Sequence, residues 1–212
     1  MKITQAYKTL FVGALLTVGS LHADTIIGSD IEVGMWQPEY SSGNSTVKGE
    51  SKSVFASATL EHPVPMLPNL KGAYSTVKSD KYEYTKLDAT AYYEVLDNDL
   101  VSIDLGLGAS QYMDGKFNGV GFKGTLPHIY VDAELSLPMI SSTLYTDIKY
   151  MDYDDNTVTD AIAGVRYDFN LVAADLGVKA GYRVQSINTQ DLGGQTFDIK
   201  TDGYFIGLHA DF

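Results

Sequence analysis

Three residues in the middle of the chain carry the side-chain types of a hydrolytic triad. Ser110, His128 and Asp132 supply a hydroxyl, an imidazole and a carboxylate, the groups that a serine hydrolase combines. His128 and Asp132 are four residues apart, so on a β-strand both side chains point to one face. Their spacing from Ser110 matches no motif, and polar side chains often meet by chance. We therefore expect no catalytic residues, and keep a hydrolase or acyltransferase centred on His128 as an alternative.

The acidic stretch DYDDNTVTD could bind a divalent cation. Asp152, Asp154 and Asn156 stand at alternate positions, as the first ligands of a calcium loop do. Thr157 occupies the position of the required glycine, however, and Ala163 that of the bidentate glutamate. This mismatch excludes an EF-hand, and a chain without cysteine cannot form a thiolate metal site. We expect neither a metal ion nor a cofactor.

Most other charged residues follow a two-residue period. Lys86, Asp88 and Glu94 share one parity of KLDATAYYEV, whereas the other parity holds leucine, alanine, tyrosine and valine. Successive side chains of a β-strand point to opposite faces, so this alternation predicts a strand with one polar and one apolar face. Along the chain, the polar row carries Asp30, Glu32, Glu61, Lys71, Lys86, Asp88, Glu94, Asp104, Asp132, Glu134, Asp147, Lys149, Asp160, Arg166, Asp168, Lys179 and Arg183.

Ten segments show this alternation, and their length is informative. A strand needs about 9 to 11 residues to cross a bilayer at a tilt, whereas strands of globular proteins usually have about 5 or 6. Segments of about 10 to 14 residues therefore favour a membrane barrel over a soluble sandwich. The predicted strands are 26–36, 53–62, 69–78, 83–95, 100–112, 125–136, 142–152, 157–169, 175–187 and 197–212.

The apolar row of these segments carries no charge through its central part. A lysine or arginine on a lipid-facing row would cost about 2 to 4 kcal/mol at the middle of a bilayer. A soluble barrel would reverse the pattern, with apolar residues inside and charges outside. The sequence therefore predicts an all-β protein, an antiparallel transmembrane up-and-down β-barrel. We expect ten strands, or eight if two segments merge or lie outside the lipid.

The first 23 residues predict a cleavable signal peptide. Lys2 and Lys8 precede the apolar run TLFVGALLTVGSL, and Ala23 offers a cleavage site before Asp24. The run is too short to span about 30 Å of hydrocarbon as a helix. We therefore expect residues 24–212 to form a single barrel domain in the outer membrane of a Gram-negative cell.

Connections and aromatic residues fit this architecture. Short connections alternate with longer, polar, glycine-rich ones at 37–52, 113–124 and 188–196, as expected for periplasmic turns and external loops. Aromatic side chains at strand ends predict two interfacial girdles. The inner girdle would contain Tyr93, Tyr167, Phe169 and Phe212, and the outer one Trp36, Tyr74 and Tyr150.

The last residues carry a terminal signature. Tyr204, Ile206, Leu208, Ala210 and Phe212 form one apolar row. This ending resembles the terminal strand of bacterial outer-membrane β-barrel proteins, and the resemblance implies recognition by the barrel-assembly machinery. Together with the opening DTIIGSDIEVGMWQP, it resembles a family of small proteobacterial outer-membrane barrels. Some members accompany GlyGly-type protein sorting systems, and the family implies no particular activity.

The charge balance limits the functions. A net charge of −12 argues against nucleic acid as a partner, because phosphate binding needs a basic surface. The expected partners are outer-membrane lipids, lipopolysaccharide and, during biogenesis, the barrel-assembly machinery. Small barrels are filled by side chains, so the charges of the polar row predict a plugged lumen and a structural or surface-interaction role. The alternative is a narrow, porin-like passive pore with a cation preference, because rings of carboxylates select cations.

Overall fold

Ten long antiparallel strands of the chain close into a barrel in the computed structural model. The structure describes residues 28–42, 45–48, 53–64, 66–78, 82–153, 156–170, 175–190, 192 and 196–212. In chain order the strands are β1 (Gly28–Trp36), β2 (Glu39–Ser42), β3 (Ser45–Lys48), β4 (Ser53–Glu61), β5 (Asn69–Lys78), β6 (Tyr82–Asp97), β7 (Val101–Phe117), β8 (Val120–Leu137), β9 (Ser142–Tyr153), β10 (Asn156–Asn170), β11 (Asp175–Thr189) and β12 (Phe197–Asp211).

The barrel runs from β1 to β4 and then through β12 in chain order, and β12 pairs back with β1. The seam joins Asp30 to Asp211 at one end and Trp36 to Phe205 at the other. Closure pairs the backbone N–H and C=O groups of both edge strands, which lipid could not satisfy. The predicted ten-stranded antiparallel barrel is thus confirmed.

The outer face of the barrel is an apolar belt. Leu107, Ile129 and Ile206 are among the large apolar side chains exposed on it. On β12 the row from Tyr204 to Phe212 rises about 3.4 Å per residue and covers on the order of 20 Å once tilted, close to the apolar height of about 25 Å in bacterial membrane barrels. No helix among the described residues has the length and hydropathy to cross a membrane.

The two ends of the barrel differ. The terminal rim is the end where β1 begins and β12 finishes, and the loop rim is the opposite end, where β7 turns into β8. Exposed charges such as Lys78, Lys116 and Lys200 lie near the loop rim, beyond the apolar belt. At the terminal rim the connections are short, including a 3₁₀ turn at Pro138–Ile140.

Two features of the loop rim differ from the prediction. The prediction of a loop at 113–124 is wrong, because β7 and β8 continue through these residues to a two-residue turn at Asn118 and Gly119. Both residues have positive φ, 48° and 83°, as a type I′ hairpin turn requires. The predicted loop 37–52 contains β2 and β3, which form a hairpin paired with β12 from Lys200 to Asp202.

Several predictions fall outside the described residues. The signal peptide at 1–23 is one of them, and the acidic tip at Asp154 is another.

Candidate functional site: the barrel interior

The loop-rim half of the interior is filled by an aromatic plug, which we define as Tyr40, Tyr82, Tyr84, Tyr112 and Phe122. Ring centroids are 5.1 Å apart for Tyr82 and Tyr84, and 5.5 Å apart for Tyr84 and Tyr112. Tyr82 and Phe122 stack at 6.2 Å. Such rings pack densely and exclude water. The barrel is therefore closed over this half of its length.

Aliphatic side chains complete the plug from the surrounding strands. Val77, Ile187 and Ile199 each have only 1% of their surface exposed. Leu192, from the connection between β11 and β12, reaches the space beside Gly124, where a Cβ atom would stand 2.4 Å from the leucine Cδ1. Tyr40 comes from β2, so two connections of the loop rim contribute side chains to the plug.

A buried ion network lies below the plug. The Asp160 carboxylate accepts hydrogen bonds from Arg183 at 2.9 and 2.7 Å, from Gln185 at 2.8 Å, and from Lys86. Lys86 also lies 3.1 Å from Asp88. Dense hydrogen bonding offsets the desolvation cost of these buried charges.

Further ion pairs join strands across the interior. Lys71 on β5 and Lys149 on β9 each lie 2.7 Å from Asp147. Lys179 lies 2.7 Å from Glu32, from β11 to β1. Lys71–Asp147 and Lys179–Glu32 connect strands that are not neighbours, so these two pairs brace the barrel from within, whereas Lys149 and Asp147 lie on the same strand, β9.

The terminal rim carries three more ion pairs. Arg166 donates to both oxygens of Glu134, at 2.9 and 3.1 Å, and to Asp168 at 2.8 Å. His209 Nε2 is paired with Asp30 across the β1–β12 seam. All six cations of the predicted polar row are thus paired with carboxylates.

Three carboxylates of the predicted row have no cationic partner within the described residues: Glu61, Glu94 and Asp104. Tyr92 donates a hydrogen bond of 2.8 Å to Glu61, and Asn69 one of 2.8 Å to Glu94. Asp104 Oδ1 is buried without a hydrogen-bond partner.

A cavity of about 330 Å³ lies in the terminal-rim half of the lumen, and we call it the terminal cavity. Asp97, the last residue of β6, and Asn98, in the turn that follows, line it, so it reaches the rim. Asp104, Asp132 and Glu61 also line its wall. The interior is therefore asymmetric, with a closed aromatic half and a hollow acidic half.

Ser110 and His128 meet, but they do not form the suggested triad. Ser110 Oγ lies 2.9 Å from His128 Nδ1, and Thr90 Oγ1 lies 3.0 Å from Nε2. Both ring nitrogens are therefore engaged by hydroxyl groups. Asp132 lies elsewhere, 4.0 Å from Lys71. The space beside His128 is about 10 Å³, roughly that of one water molecule.

The aromatic residues at the terminal rim lie where an interfacial girdle requires them. Tyr93, Tyr167, Phe169 and Phe212 are all about half exposed on the outer face. Trp36 was assigned to the outer girdle, and this prediction is wrong. Its side chain is buried inside the barrel, with the Arg183 guanidinium 5.2 Å from its ring.

The row with the terminal signature faces outward. Tyr204 is 78% exposed, and Ile206 and Leu208 are more than half exposed. Tyr204 packs edge-on against Tyr182, with ring centroids 5.0 Å apart. Ala210 and Phe212 continue the row to the terminal rim.

No family model matches the chain, and no curated protein matches it. Solved structures with a similar fold include the following three. Neisserial surface protein A is 17% identical, with 87% of this chain and 97% of that one covered and a TM-score of 0.45. The outer membrane protease OmpT from Escherichia coli is 12% identical, with 88% and 96% covered and a TM-score of 0.44.

The third is Ail, the attachment invasion locus protein of Yersinia pestis, which is 15% identical, with 89% and 100% covered and a TM-score of 0.37. Identities and TM-scores this low carry no inference about activity. The resemblance to the GlyGly-associated family stays a prediction.

The aromatic plug is the main feature that the sequence interpretation missed. Its signal is present, because Tyr82, Tyr84 and Tyr112 stand on the same parity as the charges of β6 and β7. A polar row that becomes aromatic towards the loop rim indicates an interior that becomes dry there. The described tyrosines divide among this plug, the terminal-rim half of the interior, which contains Tyr92, Tyr130 and Tyr145, and the outer face of the barrel or its loop rim.

Proposed function

We propose that the protein is an integral outer-membrane barrel that is closed to ions and acts through the surface it presents outside the cell, in a structural or surface-interaction role. The apolar belt and the closed backbone ladder support a bilayer location. The short turns support a periplasmic terminal rim, and the extended β7–β8 and β2–β3 hairpins support an external loop rim. Lipopolysaccharide and the surrounding lipids are the proposed partners.

The aromatic plug is the observation that carries this proposal. A conducting barrel keeps a continuous polar, water-filled path, whereas here the loop-rim half is packed with tyrosine, phenylalanine and aliphatic side chains. Beneath the plug, Arg183, Lys86 and Asp160 are bound to one another. Neither the aromatic plug nor this ion network leaves a water-filled route through the described interior.

Conductance of the refolded protein in a planar bilayer tests the closed lumen. We expect no steady current steps from the folded protein. A shift in gel mobility on heating would show that the sample is folded. The double variant Tyr84→Ala, Tyr112→Ala removes two rings of the plug and should conduct, with a preference for cations. Steady steps from the unaltered protein would overturn the proposal.

Location and processing need separate tests. Density separation of inner and outer membranes should place the protein with the outer membrane, and its mass should correspond to a chain that begins at Asp24.

We propose that the row from Tyr204 to Phe212 is read during barrel assembly. Phe212→Ala should then lower the folded fraction in cells without lowering the yield of refolding in detergent.

The narrow cation-preferring pore is the second candidate, and the acidic terminal cavity is the observation that favours it. Asp104 and Asp132 would select cations at the periplasmic entrance if the plug opened. The hydrolase alternative has less support, because both nitrogens of His128 are engaged by hydroxyl groups in a space of about 10 Å³.

A further inference from the structure

Four acidic residues stand directly opposite one another on four neighbouring strands. Glu94 on β6 pairs with Asp104 on β7, Asp104 with Asp132 on β8, and Asp132 with Asp147 on β9. We call this row the carboxylate ladder. Neighbouring strands are about 4.8 Å apart, and like charges directly opposite each other destabilise a sheet. Cations close to the ladder would relieve this repulsion.

Among the described residues, cations contact the ladder only at the end formed by Asp147 and Asp132. Lys71 and Lys149 each lie 2.7 Å from Asp147, and Lys71 reaches Asp132 only at 4.0 Å. Glu94 accepts a hydrogen bond from the neutral side-chain amide of Asn69. Asp104 lies between Glu94 and Asp132, and its Oδ1 atom is buried without a hydrogen-bond partner among the described residues. The Glu94–Asp104 part of the ladder, next to the terminal cavity, is thus not paired with any cation of the described residues.

Unpartnered polar atoms of other residues line the same cavity. Tyr145 and His209 are only 6% and 5% exposed, and both line the terminal cavity. Tyr145 Oη and His209 Nδ1 have no hydrogen-bond partner among the residues that the structure describes. His209 Nε2 faces the Asp30 carboxylate, which only accepts hydrogen bonds, so Nε2 carries a proton. Tyr145 Oη can accept a hydrogen bond from a ligand.

The lysines already at the ladder indicate the chemical class of that ligand. The Lys71 ammonium donates to Asp147 at 2.7 Å and to Tyr130 Oη at 2.8 Å. It also lies 5.0 Å from the Tyr130 ring, and Lys149 lies 5.5 Å from the same ring, within cation–π range. A primary ammonium on an alkyl chain therefore fits this wall.

A compact metal ion fits less well. The described residues contain no group of three histidine or acidic side chains able to hold a metal, because the ladder spreads its carboxylates along a line. A flexible chain with several ammonium groups matches a line of carboxylates. We propose that the terminal cavity binds a linear polyamine from the periplasmic side, with its ammonium groups along Asp104 and Asp132.

Calorimetric titration of spermidine into the refolded protein in a neutral detergent tests this site. We expect saturable binding that is at least tenfold weaker in Asp104→Asn. Glu83→Gln removes one negative charge from an exposed ion pair at the loop rim and should leave the affinity unchanged. No binding, equal weakening in both variants, or displacement by an equal concentration of Mg²⁺ would overturn the proposal.

Thermal unfolding supplies a second readout that does not depend on heats of binding. Asp104→Asn removes repulsion from the ladder, so its midpoint without spermidine should be at or above that of the unaltered protein. Spermidine should raise the midpoint of the unaltered protein and of Glu83→Gln, but not that of Asp104→Asn. An equal rise in all three would contradict a site at the ladder. The result is independent of conductance, so failure of the closed-lumen proposal would leave it standing.

Discussion

At the scale of single residues, Asp160 is the centre of the buried network. Its carboxylate receives two hydrogen bonds from Arg183 and one each from Lys86 and Gln185. Removing one partner of a buried ion pair leaves an uncompensated charge and costs about 3 to 5 kcal/mol, far more than the pair contributes over an apolar replacement. Asp160 should therefore dominate the free energy of unfolding among the interior acids.

Asp160→Ala is expected to lower the free energy of unfolding by about 3 to 5 kcal/mol. Reversible urea unfolding of the barrel in detergent, followed by tryptophan fluorescence, would measure this, because Trp36 is the only tryptophan and packs against Arg183. Glu83→Ala breaks an exposed ion pair and serves as the control, with little expected change. A loss at Asp160 no larger than that at Glu83 would show that the network does not stabilise the fold.

At the scale of the strands, glycines decide where neighbours can approach inside the barrel. Gly181 pairs with Gly164 across β10 and β11. A Cβ atom at Gly181 would lie 2.3 Å from the Ala163 carbonyl oxygen and 2.7 Å from the Gly164 Cα. Both neighbours are backbone atoms, so the strands themselves would have to move.

Gly181→Ala should consequently destabilise the barrel by about 1 to 3 kcal/mol, the usual cost of overpacking. Gly72→Ala provides a matched control, because Gly72 is on the outer face of β5 and a Cβ there meets nothing within 4 Å. We expect Gly72→Ala to be neutral or slightly stabilising, since alanine restricts the unfolded chain. Equal effects in urea unfolding would contradict a packing role for Gly181.

At the scale of the whole molecule, the bilayer determines what the sequence could predict. Each strand must alternate while it crosses lipid, so the ten segments and the inward charges of residues such as Asp104 are readable from parity. Beyond the apolar belt this requirement ends, which is why β2, β3 and the ends of β7 and β8 were missed. Ion pairs such as Lys71 with Asp147 join β5 to β9, and such partners depend on the stagger of the closed barrel, which single-strand periodicity does not encode.

The difference between the loop rim and the terminal rim predicts which end of the molecule faces the outside of the cell. The hairpin turn at Asn118 and Gly119 projects from the loop rim, whereas Asn98, in the turn after β6, lies at the terminal rim. An epitope inserted between Asn118 and Gly119 should be labelled by antibody on intact cells. The same epitope inserted after Asn98 should be labelled only once the outer membrane is permeabilised. Both insertions sit in turns, so each variant should fold. The reverse labelling would place the aromatic plug at the periplasmic end and the acidic cavity outside, where a polyamine would enter from the medium.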